Sequence, residues 1–467
     1  MRFSHRYSVF GKDIDALTTA DLVRLCEIPE GWYVEYKREF PGLPSAAKSL
    51  SAFANSYGGL LFYGITEKGD GSRTAGEFPG IPAADVPNVE QWLQQAASQQ
   101  VTPPPFYTHR VLRGPADEIG LLSDRAIIAI DVPMGQNSPY IHSSGRIYRR
   151  VADASDPTVE TDRHFLDLLW ERSRETRRRF ANLIESKPEL SEGESRTTFL
   201  KVWFFPDPWG EKGIRSTLTF KDFSELMRDE SPDSGGIPFD NIFVSSDAFI
   251  ARQVRQNTDV LGQVLTWRYY QNGTSEVMVP FSSEVANERL SPFLRGYEQQ
   301  QPFMNLCNSR RLRSALVIDL SLLYVALTSV AKRVGKLLKL DDLRFPLFFK
   351  SQVIGAWRRV PFVDTPEFIS FATEFGLPVI QQRESFAPAG LGPETCLELV
   401  DYPSDAFGTP LIHAAITLLQ VGAALGLPAR AFGYSEEANE AEWVMKWHVM
   451  GQRASEVALN RMQRDER

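Results

Sequence analysis

Short apolar strands mixed with Gly/Pro turns mark the first 180 residues. In WYVEYK, Trp32 to Lys37, Val34 and Tyr36 share one face while Tyr33, Glu35 and Lys37 share the other, which is the period of a strand. LLFYGI and AIIAIDVP read as further strands. Between the first two, PSAAKSLSAFANS places Ala46, Ala47, Leu50, Phe53 and Ala54 at helical spacing, predicting a helix over Pro44 to Asn55 that packs on the sheet. A long helical pattern follows over His164 to Ile184, with Phe165, Leu168 and Leu169 apolar and a basic end at Arg177, Arg178 and Arg179.

From about Thr197 the texture changes. LKVWFFP, NIFVSS and EVMVPF read as strands broken by Gly and Pro, and beyond Pro302 the pattern turns mainly helical. Two apolar runs, Ala315 to Ala331 and Leu411 to Leu427, are expected as buried helices. The first has Asp319 inside it and is shorter than the roughly 20 apolar residues a membrane span requires. The charged terminal segment is expected to fray. The expected organisation is α+β throughout: a mixed sheet with packed helices over 1–184, a Pro/Gly-punctuated linker over 185–196, an α+β region over 197–301 and a mainly helical region over 302–467.

Composition adds exclusions. At 43% hydrophobic and 24% charged the chain is a folded globular protein, not a disordered one. With 51 Lys and Arg against 59 Asp and Glu it is no polycation, and residues 1–180 are no exception, with 21 against 23. A nucleic-acid site must therefore be a local patch. Two clusters qualify, GRIYRR (Arg146, Arg149, Arg150) and the arginines from Arg172 to Arg179, though the latter interleave with Asp167, Glu171 and Glu175 as a salt-bridged face would. Cys26, Cys307 and Cys396 are far apart and form no C-x-x-C pair, which fits a reducing cytoplasm. The N-terminus lacks a signal-peptide core, so export and membrane insertion are not expected.

The chemistry concentrates between Glu30 and Gly71. If the strands ending near Lys37 and Tyr63 are neighbours, Glu30, Glu35 and Glu67 converge with Lys37 at the edge. Three carboxylates at one point repel unless a divalent cation, Mg²⁺ or Mn²⁺, neutralises them, and such a centre with a lysine beside it is that of a metal-dependent nuclease. The same Glu/Lys spacing also suits a solvated cross-strand pair. GRIYRR as a strand puts Arg146, Tyr148 and Arg150 on one face, expected to meet phosphate, and Arg149 on the other, where Asp153 or Asp156 could pair with it. His142, before GRIYRR, reads as a surface-loop histidine or a substrate contact.

VEYK, the helix ending SAFANSYGG, LLFYGITEKGDG and PYIHSSGRIYRRVADAS together resemble the Schlafen-type AlbA-like domain, over about Cys26 to Ser155. The resemblance implies a nucleic-acid-binding domain. Glu30, Glu35 and Glu67 match the trio of its nuclease-active members, which implies an endoribonuclease acting on structured RNA. Here Glu67 stands in place of an Asp, there is no Cys/His zinc site, and only one lobe is present, so a two-lobed groove implies a homodimer. The alternatives are a non-catalytic DNA- or RNA-binding regulatory module and an ATP-binding protein. The second is disfavoured, since no G-x-x-x-x-G-K-[ST] occurs. The C-terminal half is expected to bind a further partner or to set the oligomer.

Overall fold

The computed structural model describes residues 9–151, 156–254, 259–402, 408–434 and 439–465. The chain divides into two compact units. The first comprises residues 1–179 and the short excursion Trp209–Lys212, and the second the remainder. The architecture is α+β.

In unit 1 the elements run β1 (Val34–Lys37), α1 (Leu43–Asn55), β2 (Gly59–Tyr63), β3 (Thr66–Glu67), β4 (Ala75–Glu77), β5 (Ile81–Pro82), α2 (Val86–Gln100), β6 (Val101–Thr102), β7 (Thr108–Arg113), β8 (Arg125–Val132), β9 (Ile141–His142), β10 (Tyr148–Arg149), β11 (Thr158–Val159) and α3 (Arg163–Glu185), the last passing into unit 2. β1 and β2 are parallel neighbours with Glu35 opposite Leu61. β8 runs antiparallel to β2, β5 and β7, which closes a five-stranded sheet.

Alternation decides which residues face which layer. Leu61, Tyr63, Ile128 and Ile130 pack against Ala46, Leu50 and Phe53 of α1 and Val89 and Leu93 of α2. Val34, Tyr36, Leu60, Phe62, Ile127 and Ala129 pack on the opposite face against Ile14, Leu17, Leu22 and Leu25. Glu35 therefore lies on the α1 side of the sheet.

The segment joining α1 to β2 is held by close contacts. Gly58 has φ +75°, and a Cβ there would come within 2.7 Å of the Val132 carbonyl oxygen, so only glycine fits. Asn55 is fully buried at the end of α1. Its side-chain amide donates to the carbonyls of Tyr140 (2.8 Å) and Tyr148 (3.0 Å), and its oxygen accepts from the Tyr140 N–H (2.8 Å). One side chain thus fastens the two segments on either side of β9.

Unit 2 is built on an eight-stranded sheet in the order Asn241–Val244, Ala248–Arg252, Thr266–Tyr270, Ser275–Pro280, Phe199–Phe205, Leu347–Ile354, Glu384–Ala387, with Leu397–Leu399 also pairing Leu347–Ile354. One face carries a large core with the helices Leu320–Leu340 and Thr409–Ala424. Residues 302–467, expected as a separate helical region, contribute strands to the sheet begun by Phe199–Phe205, so the boundary expected at 301/302 falls within one unit. The expected linker 185–196 likewise belongs to unit 2, because the division falls inside α3 at Arg179. The run Ala315 to Ala331 is not one helix. Leu316–Asp319 is a strand parallel to Arg359–Phe362, and the Asp319 carboxylate caps the following helix by accepting from the Leu322 N–H. No helix among the described residues is long and apolar enough to cross a membrane.

Asn55→Ala removes three buried hydrogen bonds and leaves the Tyr140 N–H without an acceptor. It is expected to destabilise unit 1 by about 2–4 kcal/mol, read as a lower urea midpoint for that unit.

Candidate functional site

β1 is an edge strand, and its outer backbone groups are covered by the residues that precede it. The Glu30 carboxylate accepts from the Tyr36 N–H, and the Gly31 N–H donates to the Val34 carbonyl (3.1 Å). Glu30 itself is tied at its N–H to the Arg73 carbonyl (2.9 Å) in the turn of the β3/β4 hairpin. That bond brings the hairpin's Glu67 to Glu30, and the two carboxyl groups lie within hydrogen-bonding reach of each other.

Glu30 is 3% exposed, and its second oxygen, Oε2, meets no N–H or O–H donor. Burial first, then the neighbouring Glu67 carboxyl, lifts its pKa to about 8, so Glu30 keeps its proton at neutral pH. Glu67 is exposed.

Glu35 is fully buried, and both of its oxygens are engaged. Ser49 of α1 donates to Oε1 (2.8 Å), Lys37 Nζ lies 3.2 Å from the same oxygen, and Arg150 Nη1 meets Oε2 at 2.9 Å. Lys37 also reaches Asp156 (3.4 Å). Burial works against the Lys37 charge, but Glu35, Glu30 and Asp156 outweigh it and hold its pKa above the ordinary lysine value. The same burial, with the Glu35 charge, pushes the Tyr63 phenol well up, so it stays protonated.

The structure thus gathers Glu30, Glu67, Glu35 and Lys37 in one locality but separates their roles. Glu30 and Glu67 face one another as a carboxyl pair. Glu35, expected beside them as a metal ligand, is committed to Arg150, Ser49 and Lys37. Among the described residues no group of three or more His, Cys, Asp or Glu side chains could hold a metal ion. The donor chemistry of Glu30 and Glu67 does fit a hard cation, because Mg²⁺ is commonly held by one or two carboxylates together with water and phosphate oxygens.

The arginine element departs further from expectation. Arg150 was expected to face phosphate but has no exposed surface. Besides Glu35 it donates from Nε to the Gly31 carbonyl (2.9 Å) and from Nη2 to the Val34 carbonyl (3.3 Å), and its guanidinium lies 5.1 Å from the Phe53 ring centroid. Tyr148 is buried too, its ring edge-on to His142 at 5.5 Å and 5.3 Å from Lys48 Nζ. His142 is no surface-loop residue: it is buried, with Nε2 at the Pro44 carbonyl (3.0 Å) and Nδ1 at Ser144 Oγ (2.9 Å). Arg149 pairs with Glu160 (2.6 Å) and stacks on Phe165. Asp156 goes to Lys37 instead, and Asp153 lies outside the described residues. Arg146 alone of the four is exposed.

Sequence reasoning passed over Ser49, Ser56 and Lys48. Ser49 lies beside the apolar stripe of α1, and its link to Glu35 depends on how the helix sits on β1, which no local pattern records. Ser56 accepts from the Arg150 N–H (2.9 Å), and its only signal was its place in the AFANSYGG run. On α3, Arg174, Arg178 and Arg179 pair with Glu171 and Glu175, the salt-bridged face that their interleaving suggested.

Residues 30–159 match the family described as Schlafen, AlbA_2. The match covers the N-terminal third of the chain, and the family suggests a nucleic-acid-binding domain there. No curated protein is significantly similar to the chain. Among solved structures, the DIP2311 protein from Corynebacterium diphtheriae is 17% identical over 33% of this chain and 29% of that one, with a TM-score of 0.20. The chain thus spans less than a third of the length of that protein.

The Glu30 proton links folding to pH. Below the ordinary carboxylate value of 4.5 both folded and unfolded chains hold it, and between there and about 8 the unfolded chain releases it while the folded one does not. Stability falls as pH rises through this window. Glu30→Gln is therefore expected to melt higher than wild type at about pH 8 and to lose that advantage near pH 4.5, in thermal scans at the two values.

Proposed function

We propose that unit 1 is a nucleic-acid-binding domain with divalent-metal-dependent endoribonuclease activity on structured RNA, using Mg²⁺ or Mn²⁺ at Glu30 and Glu67. The observation that carries this reading is the carboxyl pair itself: a buried Glu30 with one oxygen lacking a donor, set against an exposed Glu67 and close to the charge on Lys37. The pair is costly as it stands, and a cation would relieve it.

A bound divalent cation supplies charge neutralisation for a phosphodiester and an acidified water. The protein's own residues supply the rest. Glu30 gives up its proton on loading and presents Oε2, while its other oxygen stays on the Tyr36 N–H and fixes the carboxylate plane. Lys37, oriented by Glu35, offers an ammonium to a phosphate oxygen. Arg146 is exposed and adds a phosphate contact from the loop before β10. Glu35 and Arg150 act by positioning. A second copy of the chain, related by a two-fold axis, would complete a two-lobed groove.

A second reading, a binding module without catalysis, is favoured by one observation: Glu30 and Glu35 both have architectural work, on the Tyr36 N–H and on Arg150.

Cleavage decides between them. Purified protein with Mn²⁺ or Mg²⁺ is expected to cut a folded tRNA transcript, and Glu67→Gln to slow cutting by about 100-fold or more with RNA affinity retained. Binding without cutting across metals and RNAs leaves the module reading. Arg146→Ala is expected to flatten the slope of log K against log salt by roughly 0.7–0.9, one phosphate contact, in filter-binding titrations.

A further inference from the structure

Two of the residues between Glu30 and Glu35 are aromatic, and a third ring meets them from the far end of α1. Trp32 and Tyr57 lie 5.8 Å apart between centroids at 63°, and Tyr33 and Tyr57 lie 6.4 Å apart. Tyr57 is 52% exposed, although it occupies a tightly fixed turn. The turn is held by the Ser56 N–H on the Ala52 carbonyl (3.0 Å) and the Gly58 N–H on the Phe53 carbonyl (3.0 Å). Trp32 and Tyr33 are half-buried. The cluster therefore presents π surface to solvent from a backbone that pays little further ordering entropy on binding.

Its position relates it to the phosphodiester site. The Arg150 guanidinium touches the Glu35 carboxylate on one side and the Gly31 carbonyl on the other, and Gly31 immediately precedes Trp32. Trp32 and Tyr33 follow Glu30 by two and three residues, so the short segment that carries a carboxylate of the proposed site also carries two of the rings.

A guanidinium borders the cluster. Arg172 holds Nη1 at the carbonyls of Ala54 (3.4 Å), Asn55 (3.4 Å) and Gly135 (3.2 Å), and Asn55 lies two residues before Tyr57. Rings with polar rims, bordered by a guanidinium and carried on the same segment as Glu30, bring together a positive charge and aromatic faces, the features by which single strands are held. Paired bases in a duplex offer no free face, so the arrangement selects loops, bulges and ends.

We propose that Trp32, Tyr33 and Tyr57 form a stacking platform for unpaired nucleobases beside the carboxylate site, so that the substrate class is a nucleic acid with a single-stranded segment. This rests on the nucleic-acid-binding role proposed above.

The test uses the full chain in EDTA, so that binding is measured apart from cleavage. The probes are a labelled oligothymidylate of about 12 nucleotides, within the reach of one binding lobe, and an abasic deoxyribose-phosphate oligomer of the same length and charge. Wild type is expected to prefer the base-bearing strand by on the order of tenfold. Tyr57→Ala and Trp32→Ala should erase that preference with abasic affinity unchanged, and Tyr57→Phe should keep it, with melting curves confirming folding. Equal wild-type affinity for the two probes, or a preference that survives Tyr57→Ala and Trp32→Ala, overturns the platform and leaves phosphate binding standing. Binding of neither probe overturns the platform, and failure to bind a folded tRNA transcript as well brings down the nucleic-acid reading beneath it.

Discussion

A buried guanidinium between one carboxylate and two backbone carbonyls organises unit 1. Arg150 and Glu35 both have no exposed surface. Removing two such ions from water costs several kcal/mol each, and the cost is offset only where every donor and acceptor finds a partner. Here the partners come from separate elements: Gly31 and Val34 at the edge of the sheet, Ser49 and the Phe53 ring on α1, and Lys37 at the end of β1. Deleting one member would strand a charge in a dry interior. The ion pair is thus a registry device, fixing the segment after β10 against the sheet edge and the helix together.

That registry determines what remains for chemistry. Because Arg150 saturates one oxygen of Glu35, and Ser49 and Lys37 the other, the charge of Glu35 is spent inside the fold. Glu30 is divided: one oxygen caps the edge of β1 and the other meets no donor. Glu67 is exposed on its hairpin and faces the Glu30 carboxyl. The three carboxylates form a series from fully structural to fully available, and Lys37 sits where the structural end meets the open one.

The sequence located β1, α1, β2 and β8 with small errors at their ends: β1 and α1 by the spacing of their apolar positions, β2 and β8 as short apolar runs bounded by Gly or Pro. It failed over Ala315 to Ala331, where a mostly apolar run reads as one element across Asp319. The signal that was present is Asp319, an acid at the start of a helical stretch, whose capping role separates the strand from the helix. In GRIYRR the period correctly put Tyr148 and Arg150 on one face, but periodicity does not say which face is inward. Hydropathy assigns an arginine face to solvent. It is inward here because its counter-charge, Glu35, lies 115 residues earlier in the chain, a pairing that no window over the sequence contains.

The same reasoning explains why the most recognisable residues of the domain are its least reactive. Phe53, Asn55, Ser56, Gly58 and Arg150 are occupied in ring contact, backbone hydrogen bonds, close backbone approach and the ion pair. They all lie within the segment that matches Schlafen, AlbA_2, and their contacts leave open what is done there. Function must be decided by groups that reach solvent or change protonation: Glu67, Lys37, Arg146, Tyr57 and the Glu30 proton. The architecture requires Glu30 only to accept from one N–H, which either protonation state can do. The proton on its other oxygen can therefore come and go without disturbing the edge of the sheet, and under the proposed function that freedom would let a structural carboxyl serve a second purpose.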